Sequence, residues 1–438
     1  MPAPAPPQAR RMAVVPAQLR SLAAYGVAPT VGIVTAPFLA RALRPEGRGE
    51  LAGVMQPITL AGALAGLGVP AAVAFYTGRG YSQRSVLRIG YLATLPSAVT
   101  VYLGLCAYAP VVAARLGVPV PVLLASWAIV VLSALVQVKR ASWQGLGRFG
   151  RLDLERTGYA LARLVGVVGP ALAGVTAATG YVAAYLASFG LGAALLWCGG
   201  PGRCGPAPVA DAGREPTRRE VRRYSWLAAI GTISLSAGNR LDQLLLPAAT
   251  SSRQLGFYAV AVTVAEVPLI AATVAARNLM HAASTGRRGG DLVRSASVVL
   301  AAGAGGCLGT AVLAPSAVPF VFGPAFAPSV RSVQILLLGS GLTIGVLSCT
   351  AVVSGRGRPG LGSLINVAGL AVTVVGFAVL WGRMDSELAS AVSAASQAAA
   401  LAVGLVLLRR VPAGGPGAVG PSEAAGPAGR GGSAASTE

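Results

Sequence analysis

Long runs without a single charged residue constrain this chain more than any other feature of its sequence. Asp, Glu, Lys, Arg and His are all absent from residues 21–40, 51–78, 89–114, 116–138, 164–202, 295–330, 332–355, 359–382 and 388–408. A helix needs about 20 mainly apolar residues to cross a bilayer, so each run can hold one crossing and residues 164–202 can hold two. Two further apolar stretches, about 224–247 and 255–279, are interrupted by isolated charges. The sequence therefore predicts an all-α integral membrane protein with about twelve transmembrane helices.

The composition agrees with this prediction. Charged residues make up 11% of the 438 positions, against about 25% in an ordinary soluble domain. The mean hydropathy is +0.67. The N-terminal segment has basic residues but no separate apolar core before a small-residue cleavage site, so it is not expected to be a cleaved signal peptide.

Basic residues are distributed unevenly between the two sides of such a helix bundle. If successive helices alternate in direction, the side that holds the N-terminus carries 26 Lys and Arg residues and the opposite side carries 7. Because basic loops stay in the cytoplasm, both termini are predicted to be cytoplasmic, in a multi-pass plasma-membrane protein. The net charge of +21 is then mainly a topology signal. Nucleic-acid binding is disfavoured, since the arginines are scattered over several short loops.

The chain is predicted to divide into two lobes of six helices each. The segments, in order, are a Pro/Ala-rich leader at 1–17, an N-lobe at 18–198, a basic cytoplasmic linker at 199–223, a C-lobe at 224–410 and a disordered Gly/Ala/Pro tail at 411–438. Because six is even, both lobes enter the membrane with the same orientation. Such parallel repeats are related by an axis along the membrane normal.

Two short matches between the lobes support a repeat. The sequence LAAYG at 22–26 corresponds to LAAIG at 227–231, and GELAGV at 49–54 corresponds to GFYAVA at 256–261. The offsets are 205 and 207 positions, so a two-residue gap reconciles them. Both matches are short, but they fall at the starts of corresponding predicted helices. This shared position strengthens the case for a repeat.

Four longer segments carry a resemblance to a known family. They are LARALRPEGRGELAGVMQPITLAGALAGLGVPAAVAFY (39–76), NRLDQLLLPAATSSRQLGFYAVAVTVAEVPL (239–269), VPFVFGPAFAPSVRSVQILLLG (318–339) and SGRGRPGLGSLINVAG (354–369). In this order they resemble the polysaccharide-transporter (O-antigen-type flippase) family of the multidrug/oligosaccharidyl-lipid/polysaccharide (MOP) flippase superfamily. The first contains RPEG, where that family commonly reads LGPEG.

The resemblance implies a fold and a function. Two six-helix lobes would surround a central polar cavity and, by alternating access, move lipid-linked sugars from the inner to the outer leaflet. The implied partners are a polyprenyl-(pyro)phosphate-linked sugar, membrane lipid, and polysaccharide polymerase or glycosyltransferase machinery. The sugar, the lipid carrier and the coupling ion are left open.

Charged residues inside predicted helices are the first candidates for a substrate cavity or gate. Each such charge costs about 2.5–3.5 kcal/mol on insertion scales, so its presence points to function. Arg240 and Asp242 lie in predicted helix 7, Glu266 lies near mid-depth in helix 8, and Arg163 is expected a turn or two inside helix 5. Arg240 is the expected partner of Glu266, because pairing helices 7 and 8 about a turn near Ser251 brings them within one helical turn.

Plainer interpretations compete for each of these residues. Arg163 could extend its side chain to the cytoplasmic surface. Arg240 and Asp242 could form a structural ion pair, although residues two apart do not face each other on a helix. For Glu266 the plainer interpretation is weakest, since nothing nearby in the sequence would let its side chain reach water.

Further candidates lie near helix ends or are uncharged. Arg41 in the outer loop and Arg277 at the cytoplasmic end of helix 8 could guide anionic headgroups, or could simply be solvated. Arg44 and Arg48 are interpreted as solvated helix ends. Asn239 is an uncharged candidate that could instead stabilise helix contacts.

Enzymatic, metal and cofactor chemistry are not expected. The chain has one histidine, no CxxC pair, no P-loop and no GxSxG or HExxH motif. The G-x-G-x-x-G at 355–360 is interpreted as a turn before helix 11, because no acidic residue follows at the distance that a dinucleotide site requires. The competing functions are a cation-coupled multidrug exporter of the same superfamily and a non-transporting membrane partner in an envelope-polymer assembly.

Membrane orientation gives the first testable prediction. A fluorescent protein that folds only in the cytoplasm is expected to fluoresce when fused after Glu438, and a phosphatase active only outside is expected to be inactive there. A phosphatase inserted next to Arg383 should be active. Activity in the reverse pattern would contradict the orientation inferred from the basic residues.

Overall fold

The structure is a computed structural model that describes residues 7–198, 215–270, 272–273, 289–355 and 359–410. Its α-helices are α1 (Pro7–Gly66), α2 (Val69–Gly78), α3 (Gln83–Leu116), α4 (Val120–Trp127), α5 (Ile129–Gly145), α6 (Phe149–Leu172), α7 (Ala178–Trp197), α8 (Arg218–Ala249), α9 (Ser252–Ala265), α10 (Gly289–Phe322), α11 (Val330–Gly355), α12 (Pro359–Leu380) and α13 (Ser386–Arg410). Short 3₁₀ turns occupy Pro324–Ser329 and Trp381–Arg383. No strand occurs in these ranges, so the all-α fold class is confirmed.

Helix α1 contains two predicted helices joined by a sharp bend. Arg44 has φ 55° and ψ −179°, outside the helical region, and Pro45 follows it. Proline disfavours a helical conformation in the residue before it, which accounts for a bend at this position. A second break at Leu67 and Gly68, both with positive φ, separates α1 from α2. Gly68 is needed there, because an added Cβ would overlap the backbone of α8 at Ser225 and Ala229.

Nine helical segments in the described ranges are long and apolar enough to cross a membrane. One of them, residues 26–66, includes both arms of the bend in α1. Helices α6 and α8 are not among the nine, and both carry several charged residues. The count of twelve crossings therefore stays a prediction, although every predicted helix has a counterpart in the chain.

Large apolar side chains on the outer surface fit a lipid environment. Val312 and Phe320 of α10 are 70% and 80% exposed, and Val379 of α12 is 76% exposed. Exposed apolar surface on this scale is unfavourable in water and neutral in lipid. Helices satisfy their own backbone hydrogen bonds, so they can present this surface to hydrocarbon.

Helices of the two predicted lobes contact each other at both ends of the bundle. At one end, which we call the Arg44 end, the bend of α1 packs against the start of α9. At the other, the Tyr81 end, the ring of Phe75 stacks on that of Tyr224, with centroids 4.6 Å apart. The distribution of basic residues predicts that the Arg44 end faces outward and the Tyr81 end faces the cytoplasm.

Helix starts refine the predicted segment boundaries. Thr217 and Glu220 form a reciprocal capping box, so α8 begins at Arg218 and includes the last residues of the predicted linker. Helix α1 begins at Pro7, inside the predicted leader. Helix α12 begins at Pro359, as the glycine-rich turn suggested, since proline is favoured at the first helical position.

Close packing in the N-lobe gives the second prediction. Replacing Gly145 by Ala would place a Cβ against the Thr77 hydroxyl and the Ala74 carbonyl of α2. Overpacking of this kind costs about 1–3 kcal/mol, so the free energy of unfolding should fall despite the better helix propensity of alanine. Thermal unfolding in detergent measures the change. Gly104→Ala is the control, because nothing lies within 4 Å of the added Cβ; equal midpoints for both variants would contradict the packing.

Candidate functional site

Arg240 and Glu266 form an ion pair between α8 and the end of α9. Arg240 Nη2 lies 3.6 Å from Glu266 Oε1, and the two side chains are 41% and 50% exposed. Arg240 Nη1 also donates to Gln243 Oε1 at 3.1 Å, which holds the guanidinium along α8. The pairing expected from the helix 7–8 turn is therefore confirmed.

A proline sets the position of Glu266. Pro268 has no backbone N–H, so the regular helical bonding of α9 ends at Ala265 and Glu266 lies at the break. The chain continues as helix at once, and Leu269 N donates to Glu266 O at 3.1 Å. Glu266 thus lies about 21 Å along the helix from Ser252, at a point where the backbone is distorted.

Asp242 is buried, unlike its neighbour Arg240. It is 8% exposed and accepts a hydrogen bond from the Tyr258 hydroxyl of α9. Tyr258 is fully buried, so the pair is shielded from the surroundings. Arg240 and Asp242 therefore contact different residues of α9 and its continuation, as expected for positions two apart on a helix.

Arg163 points into the N-lobe, not toward the end of its own helix. Its Nη2 donates to the Ala28 carbonyl of α1 at 3.3 Å, and its guanidinium lies 5.6 Å from the ring of Tyr185 and 5.9 Å from that of Tyr159. The expected depth of one or two turns is wrong for this helix. Because α6 begins at Phe149, Arg163 lies about four turns along it.

Arg48 is the residue that the sequence interpretation placed wrongly. The sequence predicts a solvated helix end at this position, yet Arg48 is half-buried and its Nε is enclosed without a hydrogen-bond partner. Arg163 and Tyr185 lie within electrostatic range of it, and Arg163 Nε is also enclosed and unpartnered. The bend at Arg44 turns Arg48 inward, and the RP dipeptide at 44–45 was the available signal for that bend.

Arg41 contacts the C-lobe instead of joining the other charged candidates. Its Nη2 donates to the Phe320 carbonyl at 2.6 Å and its Nε to the Val321 carbonyl at 3.1 Å. These are free carbonyls at the C-terminus of α10, where a positive charge is stabilising. Arg41 thus links the lobes at the Arg44 end.

The remaining candidates are only partly described. Arg277 lies outside the described residues, and so does the side chain of Asn239, although Asn239 itself is part of α8. Among the described residues no group of three His, Cys, Asp or Glu side chains could hold a metal ion. The charged candidates therefore form two separate sets, one in the N-lobe (Arg48 and Arg163) and one in the C-lobe (Arg240, Asp242 and Glu266).

An apolar groove lies between the lobes near the C-lobe set. Its volume is about 290 Å³, and Ile33 and Pro37 of α1, Val264 and Val267 beside Glu266, and Leu313 of α10 are among its lining residues. None of the charged candidates lines it.

Comparisons with known proteins place the chain in a family. A family model described as "Polysaccharide biosynthesis protein" matches residues 20–278, which is more than half of the chain. No curated protein sequence matches. The family model alone therefore carries the family assignment.

Solved structures show the same fold at low identity. An inward-facing MATE-family multidrug resistance transporter of the MOP superfamily has 15% identity and a TM-score of 0.65, with 87% of this chain and 94% of that chain covered. The lipid II flippase MurJ in an inward closed conformation has 9% identity and a TM-score of 0.66, covering 88% and 86%. An outward-facing MATE transporter has 15% identity and a TM-score of 0.55, covering 90% and 93%. The chain therefore has the MOP transporter fold.

The buried contact of Asp242 gives the third prediction. Tyr258→Phe should lower the free energy of unfolding by about 1–3 kcal/mol, because the carboxyl group loses its donor in a buried position. The double variant Tyr258→Phe/Asp242→Leu should be more stable than Tyr258→Phe alone, since no unsatisfied polar group remains. Thermal unfolding in detergent tests both. A Tyr258→Phe midpoint equal to wild type would show that this hydrogen bond contributes no stability.

Proposed function

We propose, on the premise that this chain belongs to the polysaccharide biosynthesis protein family, that it moves lipid-linked oligosaccharide or polysaccharide repeat units across the membrane. The direction is from the inner to the outer leaflet, by alternating access of two lobes around a polar interior. The chain is a multi-pass membrane protein of the MOP transporter fold. Its substrate and direction are the parts that we propose.

The observation that carries the proposal is that Arg48 and Arg163 lie within electrostatic range of each other and that each has an Nε enclosed without a hydrogen-bond partner. Two like charges in a half-buried position repel each other, and burial of each charge without a counter-ion is costly. Both side chains also have an enclosed Nε with unused donor capacity. A doubly or multiply charged phosphate would relieve the repulsion and accept these donors, since arginine binds phosphate oxygens through paired hydrogen bonds.

A pyrophosphate-linked sugar has the chemistry that this arrangement suits. Its headgroup is anionic and polar, so it needs cationic and hydrogen-bonding groups at membrane depth. Its polyprenyl tail stays in hydrocarbon, which the apolar exterior of the helices provides. The rings of Tyr159 and Tyr185 beside Arg163 add apolar faces with polar edges, which sugars commonly contact.

Translocation needs no bond to be made or broken. The protein has only to shelter the headgroup and let its lobes rock, with the driving force supplied by a gradient, the membrane potential or removal of the product. The Arg240–Glu266 pair suits a gate in this scheme. Both side chains are about half exposed, and their 3.6 Å separation is a weak contact that can open.

A cation-coupled drug exporter is the second candidate, and one observation favours it. Asp242 is a buried carboxyl group in a helix predicted to cross the membrane, and it is bound to Tyr258; such groups can take up protons or metal cations during transport. The N-lobe helix α6 also buries Asp153 and Glu155, but both lie in its first two turns and Glu155 is paired with Arg140 at 2.6 Å. The exporter would also have to tolerate two arginines where a cationic drug must pass, so we favour the anionic substrate.

A leaflet-accessibility assay gives the fourth prediction. Purified protein in vesicles is expected to move a fluorescent polyprenyl-pyrophosphate sugar to the opposite leaflet, and Arg48→Ala, Arg163→Ala, Arg240→Ala or Glu266→Ala should slow or abolish this without loss of folded protein. Loss of one charge-assisted hydrogen bond is worth about 1.5–3 kcal/mol, or roughly 10- to 100-fold in affinity. Headgroup movement is followed by chemical quenching of the fluorophore.

A matched ion pair serves as the control. Arg331 Nη1 and Glu387 Oε2 lie 3.7 Å apart and are 77% and 42% exposed, so Arg331→Ala removes a similar contact away from both charged sets. Its rate should equal that of wild type. Unchanged transport in all four test variants would remove the site assignment, and transport of a cationic drug instead of the sugar lipid would favour the exporter.

A further inference from the structure

Two glycines bring the backbones of the lobes into direct contact at the Arg44 end. A Cβ added to Gly49 of α1 would overlap the Ser252 carbonyl and lie 3.0 Å from Gly256 N. A Cβ added to Gly256 of α9 would overlap the Pro45 carbonyl and lie 3.2 Å from Gly49 N. Any side chain at either position would therefore force the two helices apart.

The contact has the reciprocal pattern that the predicted repeat leads one to expect. Gly49 and Gly256 are 207 positions apart, and so are Pro45 and Ser252, whose carbonyls face the opposite glycine. The offset is the one that aligns GELAGV with GFYAVA. Each lobe thus presents the same backbone surface to the other, as the two halves of an isologous interface do.

A charged pair at the rim follows the same symmetry. Glu46 and Arg253 are also 207 positions apart, and Glu46 Oε1 lies 3.6 Å from Arg253 Nε. The two side chains are 54% and 61% exposed, whereas residues 255–261 of α9 are all buried. The interface is therefore tight and apolar inside, with a weak polar contact at its edge.

We propose that the Gly49–Gly256 contact, with Glu46 and Arg253 at its rim, is the gate that closes the Arg44 end and parts when the protein opens there. Backbone surfaces without interlocking side chains can separate and re-form without rotamer changes. The surface ion pair adds little resistance to opening. The inference rests on the proposed function, because alternating access requires one end to close while the other opens.

Spin-label distances across the gate test this directly. Labels are placed at Arg115→Cys in the N-lobe and Arg383→Cys in the C-lobe, both exposed, in a background in which the five native cysteines are replaced by serine. Gly49→Ala and Gly256→Ala should each reduce the short-distance population and add a longer one. Gly104→Ala is the control, because its Cβ meets nothing within 4 Å. Unchanged distances in both folded test variants would overturn the gate.

Cross-linking provides a second measurement that needs no alanine variant to fold. Glu46→Cys/Arg253→Cys joined by a short, reducible thiol reagent should lose headgroup translocation and regain it on reduction. Arg331→Cys/Glu387→Cys, a similar pair within the C-lobe, should transport equally before and after cross-linking. Full transport by the cross-linked gate pair would overturn the proposal.

The two measurements separate failure of the gate from failure of the proposed function. The spin-label distances are measured without substrate. They therefore show whether the glycine contact opens even if the wild-type protein moves no sugar lipid. If the protein moves the sugar lipid but Gly49→Ala and Gly256→Ala leave the spin-label distances unchanged, the proposed function stands and the proposed gate is wrong.

Discussion

Keeping charge and backbone polar groups satisfied away from water is the constraint on which the rest of this structure depends. Lipid offers no hydrogen bonds, so the chain crosses it as helices, and charges are confined to helix ends or to protein-facing positions. Several charged side chains lie well inside the helices, among them Glu155, which is buried and paired with Arg140 in the N-lobe. Arg48 and Arg163 share the N-lobe, while Arg240, Asp242 and Glu266 share the α8–α9 region.

Helix distortions lie close to two of these charged side chains. Pro45 follows the bend of α1 at Arg44; beyond this bend Arg48 lies within electrostatic range of Arg163, and Gly49 packs against the backbone of α9. Pro268 interrupts α9 beside Glu266, where it meets Arg240. One short segment after the bend therefore contributes to a charged interior on one side and to the contact between lobes on another. This gives a physical route by which events at the charged groups could be coupled to movement of the lobes.

Much of the fold could be predicted, because a chain that crosses lipid needs long uncharged helical segments, and such segments are visible in the sequence. Uncharged runs give the helices, and an ion pair between Arg240 and Glu266 follows from a turn near Ser251 and helical spacing. Arg41 and Arg48 could not be placed in this way. Both look like loop arginines, yet Arg41 binds the carbonyl groups of α10, 279 and 280 positions away, and Arg48 turns inward. Their partners belong to helices distant in sequence, whose positions depend on packing.

The sequence by itself determined the all-α membrane class and the family, and it predicted the repeat that aligns Gly49 with Gly256. Each of these depends on composition or on order along the chain, which hydrocarbon solvation and local backbone preference translate directly into structure. Only the tertiary structure decided that those two glycines touch each other, that the Nε of Arg48 is enclosed, and that Arg41 bonds to the carbonyl groups of α10. Such contacts depend on the angles at which helices cross and bend. A shift of one helix along its neighbour by a single turn would give each of these residues a different partner.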